Sequence, residues 1–181
     1  MTILEQELDA DEKYHGSSSA VDNGFGGLGG LEWIGDDDNE NLFGTGWMDE
    51  MFGGAGDDDL RGLGGDDYIT GGDGVDKIWA DAGDDIIYTS YGPNEEDDAG
   101  STLAGTDAVG DGDFASGGSG DDKIYGGYDN YYNENLFGGA GDDTIYSYGG
   151  DDYVHGGDGH DYIISASGDN TIKGGAGRDR I

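Results

Sequence analysis

From residue 35 to residue 88 the chain runs through six consecutive nonapeptides without a slip, and the pattern returns from about residue 108 to residue 181. The clearest copies read GGAGDDDLR (53–61), GGDGVDKIW (71–79), GGSGDDKIY (117–125) and GGAGDDTIY (138–146). Glycines fill the early positions, an acid stands at the sixth and an aliphatic residue at the eighth. A fixed short period dictates a stack of small like units rather than an irregular globule. It also points to a ligand. Glycine allows positive φ and close backbone approach, and a carboxylate recurring in such a turn suits a hard cation that takes oxygen ligands.

Composition matters here because it argues the other way. With 42 acidic against 7 basic residues the formal charge is -35, and glycine supplies 41 of the 181 positions. Charge and glycine at that level ordinarily mean disorder, because little apolar surface offsets the entropy of ordering. A solvated acidic linker is therefore the competing reading, but here acids and apolar residues fall in register. The charge excludes nucleic acid as a partner and disfavours an anionic membrane surface. There is no cysteine, hence no disulfide framework or thiolate site. No apolar run approaches a membrane span, and the opening MTILEQELDADEKYHGSSSA lacks the basic and apolar regions of a secretory signal peptide.

The register divides the chain. Residues 1–16, with Ile3, Leu4 and Leu8 among acids, form a frayed or disordered lead-in. A first block covers 17–88, its segment 17–34 degenerate: SSSAVDNGF (17–25) keeps Asp22 at the sixth position, and GGLGGLEWI (26–34) has Leu31 where the acid belongs. Residues 89–107, with the lone proline Pro93 and the acid run Glu95 to Asp98, form an inserted loop or a hinge. The second block, 108–181, includes one twelve-residue unit, GGYDNYYNENLF (126–137), and stops at Ile181 in mid-repeat. That stop suggests a piece of a longer protein or one end of a larger assembly.

Each unit divides into a turn and a strand. Positions one to six carry the turn-forming Gly, Asp and Asn, and positions seven to nine are β-prone. Alternation along a strand turns position eight inward, and the column from Trp33, Leu42 and Met51 through Ile78 and Ile145 to Ile172 and Ile181 is the expected core. Ala115 is its weak member. Two units per coil give parallel strands 18 residues apart in two thin sheets, with turns along both edges. Such a core is marginal by burial alone, and its stacked carboxylates, about 4.8 Å apart, repel unless a cation lies between them.

These residues resemble the RTX (repeats-in-toxin) family, whose nonapeptide GGxGxDxUx builds a calcium β-roll. The resemblance implies an all-β fold, a right-handed parallel β-roll of two short-stranded sheets with calcium-binding turns on both edges. It also implies that each Ca²⁺ lies between two turns of one edge, held by sixth-position carboxylates and early-position carbonyls. Carried over, the first block would use Glu40, Asp58 and Asp76 on one edge and Asp49, Asp67 and Asp85 on the other. The second block would use Asp113, Glu134, Asp152 and Asn170 on one edge, and Asp122, Asp143, Asp161 and Asp179 on the other. The carbonyls would come from Gly53, Ala55, Gly71, Asp73, Gly117, Ser119, Gly138, Ala140, Gly156 and Asp158. At most about ten shared sites would bring the formal -35 to roughly -15. Glu40 and Glu134 are longer than the family's aspartate and Asn170 is uncharged, so their sites should be weaker or empty. Trp47 and Leu63 replace family glycines, and the fifth-position acids (Asp57, Asp66, Asp84, Asp121, Asp142, Asp151) should point to solvent and raise the local potential.

Other chemistry finds little support. Asp36–Glu40 lacks the glycine and terminal glutamate of an EF-hand loop. His155 and His160 near Asp161 fall together by accident of the repeat rather than as a transition-metal site. No nucleophile elbow or HExxH occurs, and carboxylate pairs are too common here to mark a glycosidase. Tyr128, Tyr131 and Tyr132 could stack on a sugar but read more simply as loop residues. The leading expectation is a non-catalytic calcium module that folds outside the cell, exported without an N-terminal signal; the family's C-terminal export signal is not seen. Its alternatives are an accessory module of a secreted protease, lipase or alginate epimerase, and an adhesion or ice-binding repeat. Beyond calcium, the partners left open are a polysaccharide, a fused or neighbouring secreted domain, and end-to-end self-association.

Overall fold

A computed structural model of the chain describes residues 21–22, 30–90, 112–127 and 133–181. Fifteen strands are found there: β1 (Val21–Asp22), β2 (Leu31–Ile34), β3 (Asn41–Phe43), β4 (Glu50–Ala55), β5 (Asp59–Arg61), β6 (Tyr68–Asp73), β7 (Lys77–Ala82), β8 (Ile86–Tyr88), β9 (Phe114–Ser119), β10 (Lys123–Tyr125), β11 (Asn135–Ala140), β12 (Thr144–Tyr146), β13 (Tyr153–Gly159), β14 (Tyr162–Ile164) and β15 (Thr171–Gly177). They form two sheets. One has the order β1-β2-β4-β6-β8-β10-β12-β14, the other β15-β13-β11-β9-β7-β5-β3. Successive strands alternate between the sheets from β2 to β15, so every second strand pairs with its neighbour in parallel. The chain is an all-β parallel roll.

The eighth-position column forms the core. Leu42, Met51, Leu60, Ile69, Ile78, Ile87, Ala115, Ile124, Leu136, Ile145, Val154 and Ile163 are buried, with Trp33 and Ile172 packed against them at the two ends. Sheet register aligns that column: Met51 pairs with Ile69, Leu60 with Ile78, Ile124 with Ile145. The register also crosses the inserted segment. Ile78 pairs with Ala115 and Ile87 with Ile124, so the coils on either side stack directly. Ala115 keeps a fully buried place in the column despite its size. The lead-in 1–16, residues 17–20 and 23–29 of the degenerate segment, 91–107 of the insertion, 108–111 at the start of the second block, and Tyr128, Tyr131 and Tyr132 lie outside the described residues.

Two features go beyond the simple strand-plus-turn scheme. β4, β6, β7, β9 and β11 run on into the first three positions of the following turn, and β13 and β15 into the first four; there Gly54 pairs with Gly72 and Gly139 with Gly157. Second-position φ is positive throughout these coils: +111° at Gly54, +121° at Gly72, +125° at Gly139. Leu63 and Asp81 take the same position at φ +78° and +75°, a conformation that only glycine adopts without cost. The start of the roll also differs from the repeat count. Val21–Asp22 pairs antiparallel with Glu32 and Leu31, so Asp22 lies in a strand that reverses direction rather than in a turn.

Candidate metal centre

The turns sort the sixth-position residues onto two edges. One edge, here called mixed, carries Glu40, Asp58, Asp76, Asp113, Glu134, Asp152 and Asn170. The other, the aspartate edge, carries Asp49, Asp67, Asp85, Asp122, Asp143, Asp161 and Asp179. Hydrogen bonds trace each line. On the aspartate edge Oδ1 of each aspartate accepts the N–H of the sixth residue one coil earlier: Asp49 to Asp67 at 2.8 Å, Asp67 to Asp85 at 2.7 Å, Asp85 to Asp122 at 2.9 Å, Asp122 to Asp143 at 2.9 Å, Asp143 to Asp161 at 3.0 Å and Asp161 to Asp179 at 3.2 Å. The mixed edge repeats this from Glu40 to Asp58, Asp58 to Asp76, Asp76 to Asp113, Glu134 to Asp152 and Asp152 to Asn170. The two edge sets read from the first block therefore continue into those of the second.

The ladder engages one oxygen of most of these carboxylates. In six of them the other is left over. Oδ2 of Asp58, Asp67, Asp85, Asp122, Asp143 and Asp161 is buried with no hydrogen-bond partner, although each of these residues is at most 2 % exposed. An ionised oxygen held that way costs several kcal/mol unless a positive charge reaches it. Burial accordingly pushes the carboxyls up, to about 7 for Asp67, Asp85 and Asp143 and about 6 for Asp58 and Asp122. Asp152 and Asp161 are raised by the same cause.

The surroundings of the free oxygen are other oxygens. A methyl group on Gly138 would fall against Asp143 Oδ2 and the Gly156 carbonyl, and one on Gly156 against Asp161 Oδ2 and the Gly174 carbonyl. Gly53 meets Asp58 Oδ2 and the Gly71 carbonyl in the same way, and Gly117 meets Asp122 Oδ2 and the Gly138 carbonyl. First-position glycine thus keeps a side chain out of the place where carboxylate and carbonyl converge; Ala80 and Ser147 show that a small one is tolerated. Among the described residues no point gathers three His, Cys, Asp or Glu side chains, so backbone carbonyls must supply most of any coordination shell. That donor set, carbonyls with one or two carboxylates, is what Ca²⁺ takes.

Asn170 reports on the same place. Its Oδ1 keeps the ladder bond from Asp152 N–H at 2.7 Å, while its Nδ2 donates to the Ser167 and Gly168 carbonyls at 3.1 and 3.4 Å. A neutral N–H group stands toward carbonyls where the aspartate turns present a bare oxygen.

A family model described as the RTX calcium-binding nonapeptide repeat matches residues 34–69, 52–87, 107–130, 128–163 and 155–181. The chain belongs to the RTX calcium-binding nonapeptide repeat family. RTX repeats bind Ca²⁺, and this many of them take up several ions. No curated protein matches the chain.

Within this RTX roll the other expected site residues fall as follows. The third-position carbonyls of Asp73, Ser119, Ala140 and Asp158 accept N–H bonds from Gly56, Gly83, Gly120 and Gly141 of the coil before, each through one lone pair. Ala55 donates its N–H to the Asp36 carbonyl. Asp49 differs from its fellows, because Thr45 N–H and Oγ1 both reach its Oδ2, at 2.5 and 3.1 Å. Trp47, in place of the fourth glycine, thus belongs to a turn that satisfies its own carboxylate. The two glutamates are buried with unpartnered oxygens, both on Glu40 and Oε2 on Glu134; burial raises them to about 7 and about 10. Glu134 turns Oε1 onto Gly127 N–H of its own turn.

Sequence reasoning missed a second ladder. The fifth-position acids are exposed, as expected, but they are also bonded. Oδ1 of Asp66 accepts Asp84 N–H, Asp84 that of Asp121, Asp121 that of Asp142, and Asp142 that of His160. These bonds run from the later coil to the earlier, against the direction of the sixth-position set. The recurring DD pair at positions five and six was the signal that could have shown it.

Proposed function

We propose that this RTX roll is a non-catalytic module whose folding is driven by calcium, acting outside the cell. The observation that carries the reading is the row of buried carboxylate oxygens without partners, each set beside carbonyl oxygens of the next coil. Without a cation those charges oppose the coil; with one they hold two turns together, so binding energy becomes folding energy. The ligands would be Asp58, Asp67, Asp76, Asp85, Asp113, Asp122, Asp143, Asp152, Asp161 and Asp179, with the first-position carbonyls of Gly53, Gly71, Gly117, Gly138 and Gly156. Asp49, Glu40, Glu134 and Asn170 would make weaker sites or none. RTX repeat proteins are typically secreted, and extracellular calcium would then supply the ion after export. Far-UV circular dichroism is the test: little β signal in chelator at pH 8, and a cooperative gain on adding millimolar Ca²⁺. The same spectrum in both conditions would refute the reading.

A further inference from the structure

From Glu40 onward every departure from aspartate in the sixth-position ladders falls on one edge; the aspartate edge has its one departure, Leu31, at its start, where the Leu31 N–H still bonds Asp49 Oδ1. Glu40, Glu134 and Asn170 are all on the mixed edge. So are both places where the repeat count breaks. In sequence, 24 residues (89–112) separate β8 from Asp113, and nine, Gly126 to Glu134, follow β10 where other repeats have six. On this edge, then, two adjacent turns depart from the six-residue count, although the first-position Thr89 carbonyl still falls beside Asp76 Oδ2.

The aspartate edge passes the same two coils undisturbed. Its rungs span 37 residues from Asp85 to Asp122 and 21 from Asp122 to Asp143, yet both are 2.9 Å, between the 2.7 and 3.0 Å of the 18-residue rungs on either side. From Asp67 to Asp161 five successive coils present a buried, partnerless Oδ2. Four of the five carry a second acid at the fifth position: Asp66, Asp84, Asp121 and Asp142. On the mixed edge the fifth position is Asn39, Val75, Gly112 and Asn133 in four of the turns, leaving the double acid to Asp57–Asp58 and Asp151–Asp152. Local charge and ligand continuity therefore favour the same edge.

We propose that the two edges are different calcium arrays. The aspartate edge from Asp67 to Asp161 loads as one cooperative unit and sets the calcium concentration at which the roll forms, while the mixed edge loads in separate segments with weaker coupling. The proposal rests on the calcium reading above and adds to it which residues carry the cooperativity. Its physical basis is ligand sharing: on an unbroken line each carboxylate lies between two ion positions, so filling one gap orders the carboxylate for the next. A broken line loses that relay where a turn departs from the pattern.

Asp58 and Asp67 make a matched pair for the test. They occupy neighbouring turns, are each 2 % exposed, each accept one ladder N–H and each leave Oδ2 unpartnered. Asparagine preserves the ladder acceptor, as Asn170 shows. The parent chain, Asp58→Asn and Asp67→Asn are titrated with Ca²⁺ by far-UV circular dichroism, and bound ions are counted by equilibrium dialysis. Asp67→Asn should raise the calcium midpoint by about tenfold and flatten the transition, whereas Asp58→Asn should shift it by about twofold or less and leave it steep. A third variant, Glu134→Asp, restores the aspartate pattern on the mixed edge and should steepen the transition or add a bound ion. If Asp67→Asn never folds while Asp58→Asn does, the proposal stands. Equal midpoint and slope changes in both, with no effect of Glu134→Asp, overturn it and leave calcium-driven folding intact. A parent chain that ignores calcium overturns the reading beneath it instead.

Discussion

Protons should do for this roll part of what we propose calcium does. The buried carboxyls of Asp67, Asp85 and Asp143 are raised from 3.8 to about 7, and those of Asp58 and Asp122 to about 6. A carboxyl whose folded value lies above its unfolded one favours the folded chain when protonated. That contribution is complete below about pH 4 and is lost as pH rises through 6 to 7. At about 1.4 kcal/mol per pKa unit, a group raised to about 7 withholds on the order of 4 kcal/mol at pH 8. A few such groups outweigh the roughly 5–15 kcal/mol that holds an ordinary domain together, so the calcium-free roll should not persist at pH 8. Titrated in chelator from pH 8 to pH 5, the chain should regain β signal without metal. Sedimentation should confirm a monomer, because the pI is about 4.1. In calcium the sign reverses for affinity: protons compete for the same oxygens, so the midpoint should climb as pH falls. Acid that removes β signal from the chelated chain, or a midpoint that drops with acid, would show that these oxygens are not the ones calcium uses.

Three further outcomes follow from other parts of the roll. Leu63→Gly relieves a left-handed backbone at φ +78° and gives up a side chain that is 44 % exposed; thermal melts in calcium should show about 1 kcal/mol of added stability. Ile78→Ala leaves a void in a fully buried position and should cost about 2–5 kcal/mol by denaturant titration; Ile78→Asp should abolish the calcium-induced β signal. Magnesium at the calcium midpoint concentration should induce little β signal, because it dehydrates reluctantly and wants strict octahedral geometry.

The sequence was most readable where one residue type answers one physical demand. The period placed Ile69, Ile78, Ile124 and Ile145 in the core and put Asp67 with Asp85 on one edge of the first block and Asp122 with Asp143 on one edge of the second, because alternation along strands and two units per coil leave no other arrangement; that these two lines join across the insertion is seen only in the structure. It was less readable where a side chain has two duties. Position-five aspartates such as Asp121 are exposed, which hydrophilicity predicts, yet they also hold a backbone N–H of the next coil, which depends on turn geometry. The partnering of Asp49 by Thr45 depends on a local turn around Trp47 that no period encodes. Val21–Asp22 looks like repeat by spacing, but its strand runs the other way, and direction is not written in spacing at all.

Two ladders of opposite polarity tie each coil to both neighbours, and the coil they tie is short along the axis. Eighteen residues from one ladder rung to the next advance the rod by a single strand spacing of about 4.8 Å. The same eighteen residues pulled straight would reach about 60 Å. If folding is calcium-driven as proposed, stripping the turns of their ions would convert a stubby rod into a tether more than ten times as long per coil, and restoring the ions would reel it back. Under load, the metal concentration around this chain would set how far apart it holds whatever is attached to its two ends.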